Sequence, residues 1–221
     1  MLSELPTLSL RELDERNLQQ VLANVARIGY RQPATVAALA PEIILLLAHS
    51  HAEVRARSCW ALGQIGFRRP AAVEGAISAL VARLADVVPE VRARALWALG
   101  RIGRADPGLV EVHLPAILAC ANDPVPQVRM NVIWASENIA TVCPEWFSTT
   151  LPVFLRLLDD PDTRYVRPEA PEIFRVIGKR RPDLVAAALP ALTAKLDDAC
   201  RVTRIHAQGA LNAIQKAQRK E

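Results

Sequence analysis

Three tryptophans, Trp60, Trp97 and Trp134, stand 37 residues apart, and each keeps the same polar company. Three residues before them are Arg57, Arg94 and Asn131; four residues after them are Gln64, Arg101 and Asn138. On an α-helix those offsets place each set on one face. Trp and Arg are among the residues most enriched at binding hot spots, so the chemistry on offer is recognition rather than bond breaking. Neighbouring helices of a stack lie about 8–10 Å apart, beyond the roughly 4.5–7 Å of a direct ring pair. The rings therefore leave gaps into which a ligand side chain, a base or a guanidinium can slot. The competing reading has each ring lying flat over the aliphatic stems of the next repeat.

Further along, the same face carries Glu169 and Glu172, within Val166-Arg167-Pro168-Glu169-Ala170-Pro171. Pro171 removes a donor near the end of a first helical turn, so this helix is expected to start late or bend. Either the two carboxylates form an acidic lip opposite the Arg-rich part of the face, or the segment is a drifted repeat with a local kink. Together with Glu137 they could also do acid–base work, but without a nucleophile or base beside them a solvated face is the better reading. Other catalytic patterns are missing. His49, His51, His113 and His206 have no HExxH spacing, no His-Glu pair occurs, and neither a Gly-rich phosphate loop nor a Gly-x-Ser-x-Gly elbow appears. No catalytic, cofactor-binding or metal-binding residue is expected, and an enzyme is not the favoured reading.

The elements that must hold this face repeat with it. Copies of the segment that begins at Val54 start at Asn17, Val91, Val128, Val166 and Thr203, at separations of 37, 37, 37, 38 and 37. Such a period marks a solenoid of stacked supersecondary units. Counting from each start as position 0, positions 0, 4, 7, 8 and 11 fall within one sector of roughly 100°. They hold Val91, Ala95, Ala98, Leu99 and Ile102 in one copy and Val166, Ala170, Ile173, Phe174 and Ile177 in another. This sector faces the unit's own first helix, and position 5 meets a neighbouring unit. Second helices are expected over 53–65, 89–102, 126–139, 167–177 and 201–218, with Gly closing several of them. First helices are expected over 34–48, 71–85, 108–121, 145–158 and 183–196. In the initial unit, Leu2, Leu5, Leu8 and Leu10 form an apolar lead-in, Ser9 with Glu12 makes a capping box, and the helix through Val21, Val25 and Ile28 ends at Gly29. The units run about 1–29, 30–66, 67–103, 104–141, 142–179 and 180–221, forming a single domain. Gln208 and Gln215 replace small or apolar residues in the last copy, as a capping repeat ending the stack requires.

Composition narrows the partner. A net charge of +4 and a pI near 9.1 suit an acidic partner but fall short of the dense clustering of a dedicated nucleic-acid binder. Cys59, Cys120, Cys143 and Cys200 lack paired ligand spacing and read as reduced thiols of a cytoplasmic protein. The longest aliphatic run, 43–48, is too short to span a bilayer, and no leader pattern opens the chain.

The repeats resemble HEAT repeats. The family's Pro thirteen residues before position 0 matches Pro41, Pro115 and Pro190, and Pro152 after one inserted residue. Its Asp five residues before matches Asp86, Asp123 and Asp198, with Asp160 displaced by one; its Arg just after matches Arg55, Arg92, Arg129, Arg167 and Arg204. His49, Ser78 and the Arg-less first unit depart from the pattern. The resemblance implies an all-α, right-handed alpha-alpha superhelix of about six two-helix repeats. It also implies an Asp–Arg ladder along the turns, in which Asp123 and Arg129 interact across their own turn, and second helices lining a concave surface. On this reading Arg57, Trp60, Gln64, Arg94, Trp97, Arg101, Asn131, Trp134, Asn138, Glu169 and Glu172 line a groove for a protein segment or peptide on a monomeric, non-membrane scaffold. Two alternatives follow from HEAT-like relatives. One is a nucleic-acid-binding or DNA-repair protein resembling the HEAT-like alkylpurine DNA glycosylases, whose groove Asp has no counterpart here except Glu137. The other is a phycobilin lyase-like chaperone.

Overall fold

A computed structural model describes residues 9–219, and among them every regular element is an α or 3₁₀ helix. The chain divides into two compact units, Met1–Val110 and Glu111–Glu221. The first contains α1 (Glu15–Arg31), α2 (Pro33–Val36), α3 (Ala40–Leu46), α4 (Ala52–Gly66), α5 (Ile77–Ala82) and α6 (Pro89–Ala105). The second contains α7 (Leu114–Ala119), α8 (Pro126–Ala140), α9 (Leu151–Leu157), α10 (Val166–Gly178), α11 (Leu189–Ala194) and α12 (Arg201–Gln218). In the first unit the long helices α1, α4 and α6 pack side by side, and in the second α8, α10 and α12 do so. Shorter arms pack against these long helices: α3 on α4, α5 on α6, α7 on α8, α9 on α10 and α11 on α12. The architecture is that of an all-α repeat solenoid.

The long helices follow the apolar stripe closely. Val54, Ala61, Leu62 and Ile65 are fully buried, and the corresponding residues of α6 and α10 are too. Ser58, in the same sector, satisfies its hydroxyl by donating to the Val54 carbonyl at 2.8 Å. Position 5 is sealed as well by Cys59, Leu96 and Ile133, whereas Gln208 is exposed. Burial pushes the Cys59 thiol up to about 12, so it stays protonated and inert.

The arms differ from expectation: each is broken into 3₁₀ and α pieces rather than running as one α-helix. Pro70–Ala76 is 3₁₀ before α5 begins, and Pro182–Ala188 is 3₁₀ before α11. Pro41, Pro115, Pro152 and Pro190 each lie in the first two residues of an α piece, where a missing N–H is harmless. The arm with Ser78 breaks at the same place, so packing, not Pro alone, imposes the change of pitch.

The glycines do not terminate helices in the way proposed. No described residue has positive φ, and α1 continues past Gly29 to Arg31. Gly66 instead makes room: a Cβ there would meet Ile102 Cγ1 at 2.5 Å and Val73 Cγ2 at 2.6 Å. Gly178 is held just as tightly by Ile214 and Val185. The initial cap also differs. Ser9 donates its hydroxyl to Glu42 at 2.9 Å, and α1 is capped by Asp14, which accepts from the Asn17 N–H at 2.8 Å. Leu2, Leu5 and Leu8 lie outside the described residues.

The charged ladder is real but runs between repeats. Arg55 donates to both oxygens of Asp86 in the following repeat, each at 2.8 Å, and to the His49 and Ser50 carbonyls of its own turn. Arg129 repeats the arrangement, with Asp160 at 2.8 and 2.7 Å. Thus Arg129 meets its own turn through the Asp123 backbone carbonyl at 2.9 Å, and its carboxylate partner is Asp160. Each Asp also accepts from a backbone N–H two residues on, as Asp86 does from Val88. Burial would raise the Asp86 pKa, but the Arg55 hydrogen bonds, the Val88 N–H and the Arg55 and Arg83 charges outweigh it and hold the carboxyl below its usual range.

Pro171 is tolerated inside α10, which begins at position 0, two residues later than α4, α6, α8 and α12 begin in the register. Asp162 takes the N–H groups of Tyr165 and Val166 at 2.6 and 3.0 Å before the helix starts. The helix does start late.

Candidate binding face

The open face of the first unit is built by α4 and α6. Trp60 and Trp97 are both half-buried there. Arg57 and Arg94 flank them, but each is already paired one helical turn away, with Glu53 at 2.6 Å and Glu90 at 2.7 Å. A small cleft of about 120 Å³ lies between these two pairs, lined by Trp60. A larger one, of about 420 Å³, opens on the other side of Trp60 between Ile28, Tyr30, Gln32 and Gln64. Trp97 is more committed to packing. A Cβ on Gly63 would lie 2.8 Å from Trp97 Cζ3, so the indole rests on the bare backbone of α4.

Arg101 sits at the C-terminal end of this face. It donates to Gln64 Oε1 at 3.0 Å and lies 3.7 Å from the Phe67 ring centroid, 5.3 Å from Tyr30 and 5.4 Å from Trp97. Arg68 lies over the same two rings, 5.1 Å from Tyr30 and 5.4 Å from Phe67, which stack on each other at 6.3 Å. Burial lowers the Arg101 pKa most, and the nearby Arg104 and Arg68 charges lower it further against the favourable field of Tyr30. Tyr30, Phe67 and Arg68 lie outside the Trp-centred register, but Tyr30-Arg31 and Phe67-Arg68 recur 37 residues apart just beyond the helical stripe, and that recurrence is their signal in the sequence.

The second unit presents different chemistry. Trp134 and Asn131 are half-buried, while Asn138 is almost fully buried and donates its amide to the Trp134 carbonyl at 2.9 Å. Asn131 donates to the Gln127 carbonyl at 2.8 Å. Glu169 and Glu172 face Glu137, whose pKa is raised to about 8, chiefly by burial and then by the Glu172 and Glu169 charges. Arg175 binds Glu172 at 2.5 Å, and His206 approaches Glu172 at 3.9 Å while its Nδ1 lies 2.8 Å from the Pro168 carbonyl. Glu137 is half-buried beside the Glu169 and Glu172 carboxylates. Among the described residues no group of three or more His, Cys, Asp or Glu side chains is placed to hold a metal ion.

The family model for HEAT repeats matches residues 39–112 and 77–173, which together span more than half of the chain. The chain belongs to the HEAT-repeat family. No curated protein matches it. Among solved structures, this HEAT-repeat protein is similar to a designed armadillo repeat protein in complex with the peptide (KR)4. The two are 25% identical, with a TM-score of 0.74 over 93% of this chain and 96% of that one. A second designed armadillo repeat protein is 22% identical, with a TM-score of 0.70 over 93% and 97% of the two chains. An engineered protein is 19% identical, with a TM-score of 0.73 over 95% and 94%. No described helix is long and apolar enough to cross a membrane.

Proposed function

We propose that this HEAT-repeat protein is a non-catalytic scaffold that holds a protein segment or peptide against the open face of its second helices. The observation that carries the reading is Trp60. It is half-buried and separates two clefts, one framed by the Glu53–Arg57 and Glu90–Arg94 pairs and the other by Ile28, Tyr30 and two glutamines beside Arg27 and Arg31. An amphipathic ring in such a position provides contact area at low entropic cost. Gln64 and Gln32 beside it supply amides suited to a peptide backbone. The likeness to a designed repeat protein with a bound peptide supports the same use of the fold. A nucleic-acid strand fits less well, because Arg57 and Arg94 are already paired and the second unit offers Glu169 and Glu172 on the corresponding positions.

The test is a peptide selected by display against the whole chain. Trp60→Ala should weaken that peptide by about 2 kcal/mol, the hot-spot scale, while the melting temperature barely moves. Trp97→Ala should lose stability as well, because its ring covers Gly63. Unchanged affinity in Trp60→Ala would remove the proposed anchor.

A further inference from the structure

The C-terminal edge of the first unit's long helices gathers like charges without neutralising them. Arg68 and Arg101 lean over the same two rings, and Arg31, Arg69 and Arg104 lie at or just past the ends of α1, α4 and α6. None of these five forms an ion pair among the described residues, in contrast to Arg55, Arg57 and Arg94. The Arg101 Nε is buried with no hydrogen-bond partner. The Phe67 ring, with its centroid 3.7 Å from Arg101 Cζ, and Gln64, which accepts from one of its terminal nitrogens, hold the Arg101 guanidinium in place. A pre-oriented planar fork suits a carboxylate or phosphate, and two cations crowded on one aromatic pair gain from any anion placed between them.

Resting on the scaffold reading above, we infer that the Tyr30–Phe67–Arg68–Arg101 cluster selects an acidic protein segment, taking its Asp or Glu carboxylates at this edge while its other side chains use the Trp60 cleft. Two observations favour a peptide over nucleic acid. On the first unit's open face Arg57 and Arg94 are neutralised by Glu53 and Glu90, and the arginines without an ion pair among the described residues, Arg27 included, gather toward the C-terminal edge instead of tracking along the face, as a phosphate backbone demands. The adjoining cleft of about 420 Å³ sets Ile28, Tyr30, Trp60 and the amides of Gln32 and Gln64 beside Arg27 and Arg31, which suits a peptide backbone and the side chains of an acidic segment. The proposed acidic ligand is thus opposite in sign to the peptide of the designed neighbour, (KR)4.

The experiment is fluorescence anisotropy on the full chain with four labelled probes: an acidic octapeptide of alternating Asp and Glu, its Asn/Gln counterpart, (KR)4, and a short single-stranded oligonucleotide. The acidic peptide should bind at least about tenfold more tightly than the amide peptide or (KR)4, a difference of ~1.4 kcal/mol. Arg68→Ala, an exposed position whose loss leaves the core intact, should remove severalfold of that preference, and Arg101→Ala about tenfold. Arg201→Ala, an exposed arginine of the second unit, should change it less than twofold. Equal binding of acidic and amide peptides, or insensitivity to both Arg68→Ala and Arg101→Ala, overturns the inference. So does an oligonucleotide that displaces the acidic peptide and shows the same Arg101 dependence. A display-selected neutral peptide that needs Trp60 but ignores Arg68 and Arg101 would retain the scaffold and discard the acidic preference. The scaffold reading itself fails if display yields no Trp60-dependent peptide.

Discussion

The two units share one framework and turn opposite chemistry to solvent. Both stack three long helices, both bury the same sector, and both join repeats through an Arg that clasps the next repeat's Asp. On the open face the first unit offers Trp60, Trp97 and unpaired arginines at the helix ends. The second offers Glu169 and Glu172 around Glu137, whose pKa burial raises to about 8. A repeat fold separates these roles because core and ladder positions are set by helical geometry, whereas the remaining face is free to vary. Stability should thus respond alike in the two units, and recognition should not.

The largest effect is expected from the shared ladder. Asp86→Ala leaves the Arg55 guanidinium buried without its carboxylate and should cost about 3–5 kcal/mol in chemical denaturation. Arg129→Ala and Asp160→Ala should couple by about 0.5–3 kcal/mol in a double-mutant cycle, and Asp123→Ala should couple with Arg129→Ala far less. The ladder also has a pH signature. The Asp86 pKa is depressed in the fold, so its contribution is complete above the unfolded value and is lost as pH falls through the folded one.

Smaller effects test the glycines. Gly66→Ala and Gly178→Ala should each destabilise by about 1–3 kcal/mol through overpacking against Ile102 and Ile214, despite better helix propensity. The carboxyl cluster of the second unit should give an opposite pH trend. A proton held up to about pH 8 means stability is greatest below the unfolded glutamate value and declines as pH rises toward 8. Glu137→Gln should therefore stabilise the protein at pH 9 relative to pH 5 by at least ~1.4 kcal/mol, the worth of one pKa unit. Smallest of all, Gly209→Ala should stabilise by about 0.5–1 kcal/mol, because its Cβ would meet nothing within 4 Å.

Much of this fold was legible because long helices declare themselves by apolar period. The stripe from Val54 to Ile65 needs no structure to be recognised, and the late start of α10 follows from Pro168 and Pro171. The arms were not legible in detail, since 3₁₀ and α segments of three to seven residues share nearly the same apolar spacing. Nor could one sequence choose the ladder partner of Arg129, because a 37-residue period places one Asp at its own turn and another at the next. The site was half legible. Trp60 stood out by type, but pairing of Arg57 and Arg94 with Glu53 and Glu90 moves the effective positive charge to Arg68 and Arg101. Glu137 could have been suspected: it occupies the register position held by Gly63 and Gly100 in its siblings, where a neighbouring helix passes over Gly63.

On the proposed reading, it is the first unit's open face that recognises the partner. The most direct measurement is an NMR titration of the indole N–H signals of Trp60, Trp97, Trp134 and Trp146 with a display-selected peptide. The largest shift is expected at Trp60, a smaller one at Trp97 and none at Trp146, which lies in the 3₁₀ segment Pro144–Phe147. Saturable binding that shifts Trp134 or Trp146 while Trp60 and Trp97 stay still would contradict it.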